Sequence, residues 1–85
     1  MNIELELYGS LRNLEPGDRL HLPVTGAQVA DLRAALVAHA EARWPRVSPL
    51  LLQRCAFATR TAVLRDHQAL PPDGHMVILP PVSGG

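Results

Sequence analysis

His75-Met76-Val77-Ile78-Leu79-Pro80-Pro81-Val82-Ser83-Gly84-Gly85 closes the chain. Met76 to Leu79 are apolar at consecutive rather than alternate positions, the mark of a strand covered on both faces. Pro80-Pro81 then fixes φ and removes two amide donors, which ends strand pairing and favours an extended spacer. Val82-Ser83-Gly84-Gly85 has little apolar surface to bury, and its two glycines widen the accessible backbone space. The stretch therefore divides the chain into a folded domain over residues 1–79 and an extended, flexible tail over residues 80–85 that presents its carboxylate to solvent.

Immediately upstream, Leu70-Pro71-Pro72-Asp73-Gly74 is a turn signal. Two short β-favouring runs, residues 55–59 and 62–65, flank Thr59-Arg60-Thr61 and read as brief strands. Ser48-Pro49 ahead of Leu50-Leu51-Leu52 supplies a capping serine and a proline at the first position of a short helical turn. Further back, Val29, Leu32, Leu36 and Ala40 recur at helical spacing, so one amphipathic helix of roughly 16–18 residues is expected. Thr25 and Gln28 match a capping box at its start, and Pro45 ends it near Arg43, leaving Trp44 over one end of the core. At the N-terminus Ile3, Leu5 and Leu7 alternate with Glu4, Glu6 and Tyr8, as in a half-buried strand. Pro16-Gly17 favours a type II turn, and Leu20, Leu22 and Val24 bring the chain back antiparallel, with Pro23 near the strand's end.

This order of elements suits a two-layer α+β domain, a mixed sheet of four to five strands packed on one main helix with the last strand central beside the first. It matches the β-grasp, or ubiquitin-like, arrangement. A domain of 85 residues has no second helix for the far face of the last strand, so a partner protein is the expected cover.

Composition narrows the function classes. Eight acidic and eight basic residues balance, so there is no basic field for nucleic acid. All the basic residues are arginine, so the chain has no side-chain amine to take an acyl group from a neighbour. The single cysteine, Cys55, rules out an internal disulfide and a thiolate zinc site, and among alanines and Phe57 it reads as a small core residue. His21, His39, His67 and His75 lack the spacing of a ligand set and read as surface or packing residues. An acidic N-terminus and the absence of a long apolar run point to no signal peptide, no membrane span and a cytoplasmic location.

The C-terminal third, through Leu70, Asp73-Gly74, Val77 and above all Pro80-Pro81-Val82-Ser83-Gly84-Gly85, resembles the MoaD/ThiS family of ubiquitin-like sulfur-carrier proteins, and within it the molybdopterin branch. Departures are Thr59-Arg60 in place of an Asn-containing turn, His75 in place of an acid, and Leu79 in place of a phenylalanine.

The resemblance implies a chemistry centred on Gly85, with Gly84 beside it. A ubiquitin-activating-like adenylyltransferase (MoeB-like) would adenylate the Gly85 carboxylate with ATP, and a persulfide sulfur would displace AMP to leave a thiocarboxylate. That group would supply sulfur for the molybdopterin dithiolene inside the large subunit of molybdopterin synthase (MoaE-like). The chain would hold no cofactor or metal of its own and would act as a non-catalytic small subunit. Partner-binding positions would be Met76, Val77, Ile78, Leu79, Pro80, Pro81, Val82 and Ser83. Either Val77 and Leu79 dock the partner, or Met76 and Ile78 do if the faces are reversed. Carriage of sulfur for thiamine-thiazole or cysteine synthesis, or a role as a ubiquitin-like protein modifier, are the alternatives.

Overall fold

Alternation in the first strand is realised directly. In the computed structural model, which describes residues 1–81, β1 (Asn2–Leu7) buries Ile3, Leu5 and Leu7 and turns Glu4 and Glu6 outward. A single turn at Pro16–Asp18 follows, with Gly17 at φ 67° and the Asp18 amide donating to the Glu15 carbonyl at 3.1 Å. That left-handed φ is what the Pro-Gly order supplies. β2 (Arg19–Pro23) then pairs antiparallel with β1, Leu5 opposite Leu20 and Asn2 opposite Pro23, so the proline takes the last position of its strand.

The main helix α1 (Val29–Arg43) has 15 residues and buries Val29, Leu32, Leu36 and Ala40. It begins later than Thr25 and Gln28 predict. Gln28 is itself the N-cap, and its amide donates to the Asp31 carboxylate at 2.9 Å. The reason lies outside the helix. Gln28 is held extended by residues 68–70, through Leu70 N–H to the Ala27 carbonyl (2.8 Å), Val29 N–H to the Gln68 carbonyl (3.0 Å) and a bridge between Gln28 and Ala69. At the other end Trp44 is buried beneath the last turn, as expected.

Ser48 caps the short α2 (Pro49–Arg54), its hydroxyl accepting from the Leu50 amide at 3.1 Å. β3 (Ala56–Ala58), β4 (Val63–Leu64) and β5 (His75–Leu79) complete a five-stranded sheet in the order β2-β1-β5-β3-β4. β5 is central, parallel to β1 and antiparallel to β3. The sheet is therefore mixed, with α1 packed on one face around Ile3, Leu5, Leu36, Phe57, Met76 and Ile78.

β5 settles which of its faces is core. Met76 and Ile78 are wholly buried, whereas Val77 is half-buried and Leu79 exposed. The reversed assignment, with Met76 and Ile78 as partner-binding residues, is thereby corrected: each contributes about 1.5–3 kcal/mol of burial to the core and neither reaches the surface.

Candidate functional site

The outward face of the sheet follows from the register. Ala56 lies opposite Leu79, Ala58 opposite both Val77 and Val63, Glu6 opposite Val77 and Glu4 opposite His75. Paired residues share a face, so this surface has two halves. Toward β4 it is apolar, built from Val77, Leu79, Ala56, Ala58 and Val63, with Val63 and Leu79 exposed to 61% and 38%. An apolar half-sheet beside the end of β5 is the kind of surface that a partner protein can cover.

The other half is polar and internally satisfied. His75 lies between two carboxylates, Nδ1 2.8 Å from Glu4 Oε1 and Nε2 3.1 Å from Glu6 Oε1. Both contacts are donated at once only by the protonated ring. From β2, His21 Nε2 stands 3.2 Å from Glu4, and Arg19 lies 3.8 Å and 4.0 Å from Glu4 and Glu6. The Tyr8 hydroxyl donates to Glu6 at 3.0 Å. The His75 hydrogen bond, aided by Arg19 and opposed by desolvation, holds the Glu4 carboxyl below its usual range, and the bond to Glu6 raises the Tyr8 phenol. The cluster marks the edge of the apolar half and sets its charge. From its sequence neighbours alone His75 reads as a surface or packing histidine. Its role depends on the parallel β1/β5 register, which joins residues 71 positions apart.

Of the site residues expected from sequence, Val77 and Leu79 lie on the open face, Pro80 and Pro81 are half-buried at its end, and Met76 and Ile78 lie in the core. Val82, Ser83, Gly84 and Gly85 lie outside the described residues. Cys55 is buried, and its thiol donates to the Leu51 carbonyl at 3.3 Å. Burial pushes that thiol's pKa up, the opposite of what a nucleophile needs. Among the described residues no cluster of His, Cys, Asp and Glu could hold a metal ion, and no helix is long and apolar enough to cross a membrane.

A sequence profile described as the ThiS family matches residues 5–85. The chain is 33% identical to the molybdopterin synthase sulfur carrier subunit of Synechococcus elongatus, over 98% of this chain and 96% of that one. Its fold is similar to the crystal structure of SAMP1 from Haloferax volcanii, with a TM-score of 0.70, 25% identity and complete coverage of both chains.

Proposed function

This chain belongs to the ThiS family of sulfur carriers, and from that premise we propose that it is the sulfur-carrying small subunit of a molybdopterin synthase. The observation that carries the reading is the near-complete match, at 33% identity, to a molybdopterin synthase sulfur carrier subunit. The architecture supports it. A central strand buried on one face brings the chain out at Pro80-Pro81, beside an apolar surface suited to a second protein.

The reactive group of the proposal is the carboxylate of Gly85. A carboxylate is a poor acyl donor, so a partner adenylyltransferase activates it: a carboxylate oxygen attacks the α-phosphorus of ATP and expels pyrophosphate. The terminal sulfur of a persulfide then attacks the acyl-adenylate and AMP leaves. A thiol reduces the resulting acyl disulfide to the thiocarboxylate. The large synthase subunit, docked on Val77, Leu79 and the tail, uses that sulfur to build the dithiolene. Residues 80–85 act as the presented tail, Gly84 and Gly85 keeping it narrow enough to thread a partner's channel. The carrier supplies no acid, base or metal and acts as a non-catalytic subunit. A reducing, ATP-supplied compartment, the cytoplasm, suits this chemistry.

Mass spectrometry of the intact chain after incubation with the activating enzyme, ATP and a persulfide donor tests the proposal. The expected result is replacement of one oxygen by sulfur at Gly85, abolished by one added C-terminal residue and strongly reduced in Gly85→Ala. Co-purification with a pterin-binding large subunit assigns the pathway. Sulfur that still arrives at an extended terminus would sink the reading.

A further inference from the structure

β1 and β5 run side by side as far as Leu7 and Ile78, and just beyond that pair the two chains part. β1 bends away at Gly9, whose φ is +58°, into a single turn over Gly9–Leu11. Within it the Leu11 amide donates to the Tyr8 carbonyl at 3.1 Å and the Arg12 amide to the Gly9 carbonyl at 3.2 Å. Leu11 is wholly buried, so the turn is pinned to the core.

β5 continues into Pro80, which has no amide to donate to the sheet. Its ring is positioned by shape instead. A Cβ on Gly9 would stand 2.8 Å from Pro80 Cγ and 3.5 Å from Cδ. The first distance is far inside the roughly 3.5–4.0 Å of carbon–carbon contact. The Pro80 ring therefore fills the space that an L side chain at position 9 would need.

We propose that Gly9 is a positioning residue: it seats the Pro80 ring and so sets the direction in which the tail leaves the domain. The proposal rests on the carrier reading above. The docking face and the tail then have separate supports, the first in β5 and β3 and the second in the turn after β1. A substitution at Gly9 misdirects the terminus without altering the surface that binds the partner.

Adenylation of the chain by the activating enzyme, followed by pyrophosphate release as carrier concentration is varied, tests this. Five variants are compared with the unaltered protein: Gly9→Ala, Gly9→Asn, Gly17→Ala, Pro80→Ala and the double variant Gly9→Ala/Pro80→Ala. Gly17 also has a positive φ, +67°, but with open space around it, so it reproduces the backbone strain without the contact. Asparagine tolerates left-handed φ and keeps the obstructing Cβ, which preserves the test if Gly9→Ala folds poorly.

The expected result is a fall in kcat on the order of ten-fold for both Gly9 variants with KM unchanged, since angstrom-scale misplacement of a reacting group has effects of at least that size. Partial unfolding would instead raise the apparent KM and leave kcat alone. Gly17→Ala should match the unaltered protein. Added to Pro80→Ala, which lacks Cγ and Cδ, Gly9→Ala should have no further effect on kcat. If the unaltered chain is adenylated and the Gly9 variants behave like Gly17→Ala, the positioning role is overturned and the carrier reading stands. If the unaltered chain is never adenylated, the carrier reading itself fails.

Discussion

Replacing Arg33 with alanine should lower stability by about 2–3 kcal/mol, and the size follows from what the guanidinium touches. Nη1 donates to the carbonyls of Leu52 and Cys55, both at 2.8 Å, at the end of α2, where the Leu52 carbonyl otherwise accepts only a long 3.4 Å bond from the Cys55 amide. Nη2 donates to Asp66 at 2.8 Å, and the guanidinium carbon sits 4.9 Å above the Phe57 ring. Hydrogen bonds from a charged donor contribute about 1.5–3 kcal/mol each; the low end applies here because water reaches the carbonyls once the side chain is gone. Contact with the Phe57 face adds about 0.5–1 kcal/mol. Freeing a side chain that is only 12% exposed returns up to about 2 kcal/mol of rotamer entropy. The ion pair contributes little, since Asp66 is 53% exposed and exposed pairs yield about 0–1 kcal/mol. In a domain of this size the net loss lowers Tm by about 10–20 °C. Thermal unfolding followed by circular dichroism measures it, with Asp66→Ala as the comparison, expected to fall by only a few degrees. If Asp66→Ala loses as much as Arg33→Ala, or if Arg33→Ala stays within about 1 kcal/mol of the parent, the assignment of Arg33 to the carbonyls of α2 is wrong. Cys55 leads into β3, which borders β5, so the same substitution should also loosen the apolar half of the outer face.

The two faces of β5 should separate binding from folding. Val77→Asp and Leu79→Asp should leave Tm nearly unchanged and weaken association with the large synthase subunit by about 2 kcal/mol or more, measured by titration calorimetry. Met76→Ala and Ile78→Ala should destabilise the fold by about 2–5 kcal/mol while the folded fraction still binds; the reverse pattern would refute the face assignment. Acid sensitivity should trace in part to Glu15, which accepts from Trp44 Nε1 at 2.8 Å and lies 3.1 Å from His39 Nε2. Burial works to raise this carboxyl, but the His39 and Trp44 hydrogen bonds outweigh it and hold it below its usual range. A lowered folded value means that its stabilisation is complete above the ordinary glutamate value of about 4.3 and is lost as pH falls through the folded value. Glu15→Gln should therefore lower Tm at neutral pH and flatten its decline in acid, with Trp44 fluorescence as the probe; an acid decline as steep as the parent's would exclude Glu15 as its source.

What the sequence by itself determined was whatever depends on neighbours along the chain. Alternation at Ile3, Leu5 and Leu7, helical spacing at Val29, Leu32, Leu36 and Ala40, the Pro16-Gly17 turn and the Ser48-Pro49 cap are short-range signals, because strand and helix periods act over a few residues. Signals of the same short range, the lack of apolar surface and the backbone preferences of proline and glycine, give the expectation of an extended tail over residues 80–85, of which residues 82–85 lie outside the described residues. Tertiary structure decided what depends on partners distant in sequence. The consecutive apolar residues of β5 carry no mark of which face is core, and packing against α1 assigns Met76 and Ile78 inward. The N-cap of α1 is Gln28 rather than Thr25 because residues 68–70 hold Gln28 extended. His75 meets Glu4 and Glu6, Arg33 meets the end of α2, and Gly9 meets Pro80 only once β1 and β5 have paired and the layers have closed. Local propensity limits which elements form, but their register and facing are set by burial and by polar groups that find partners across the whole chain.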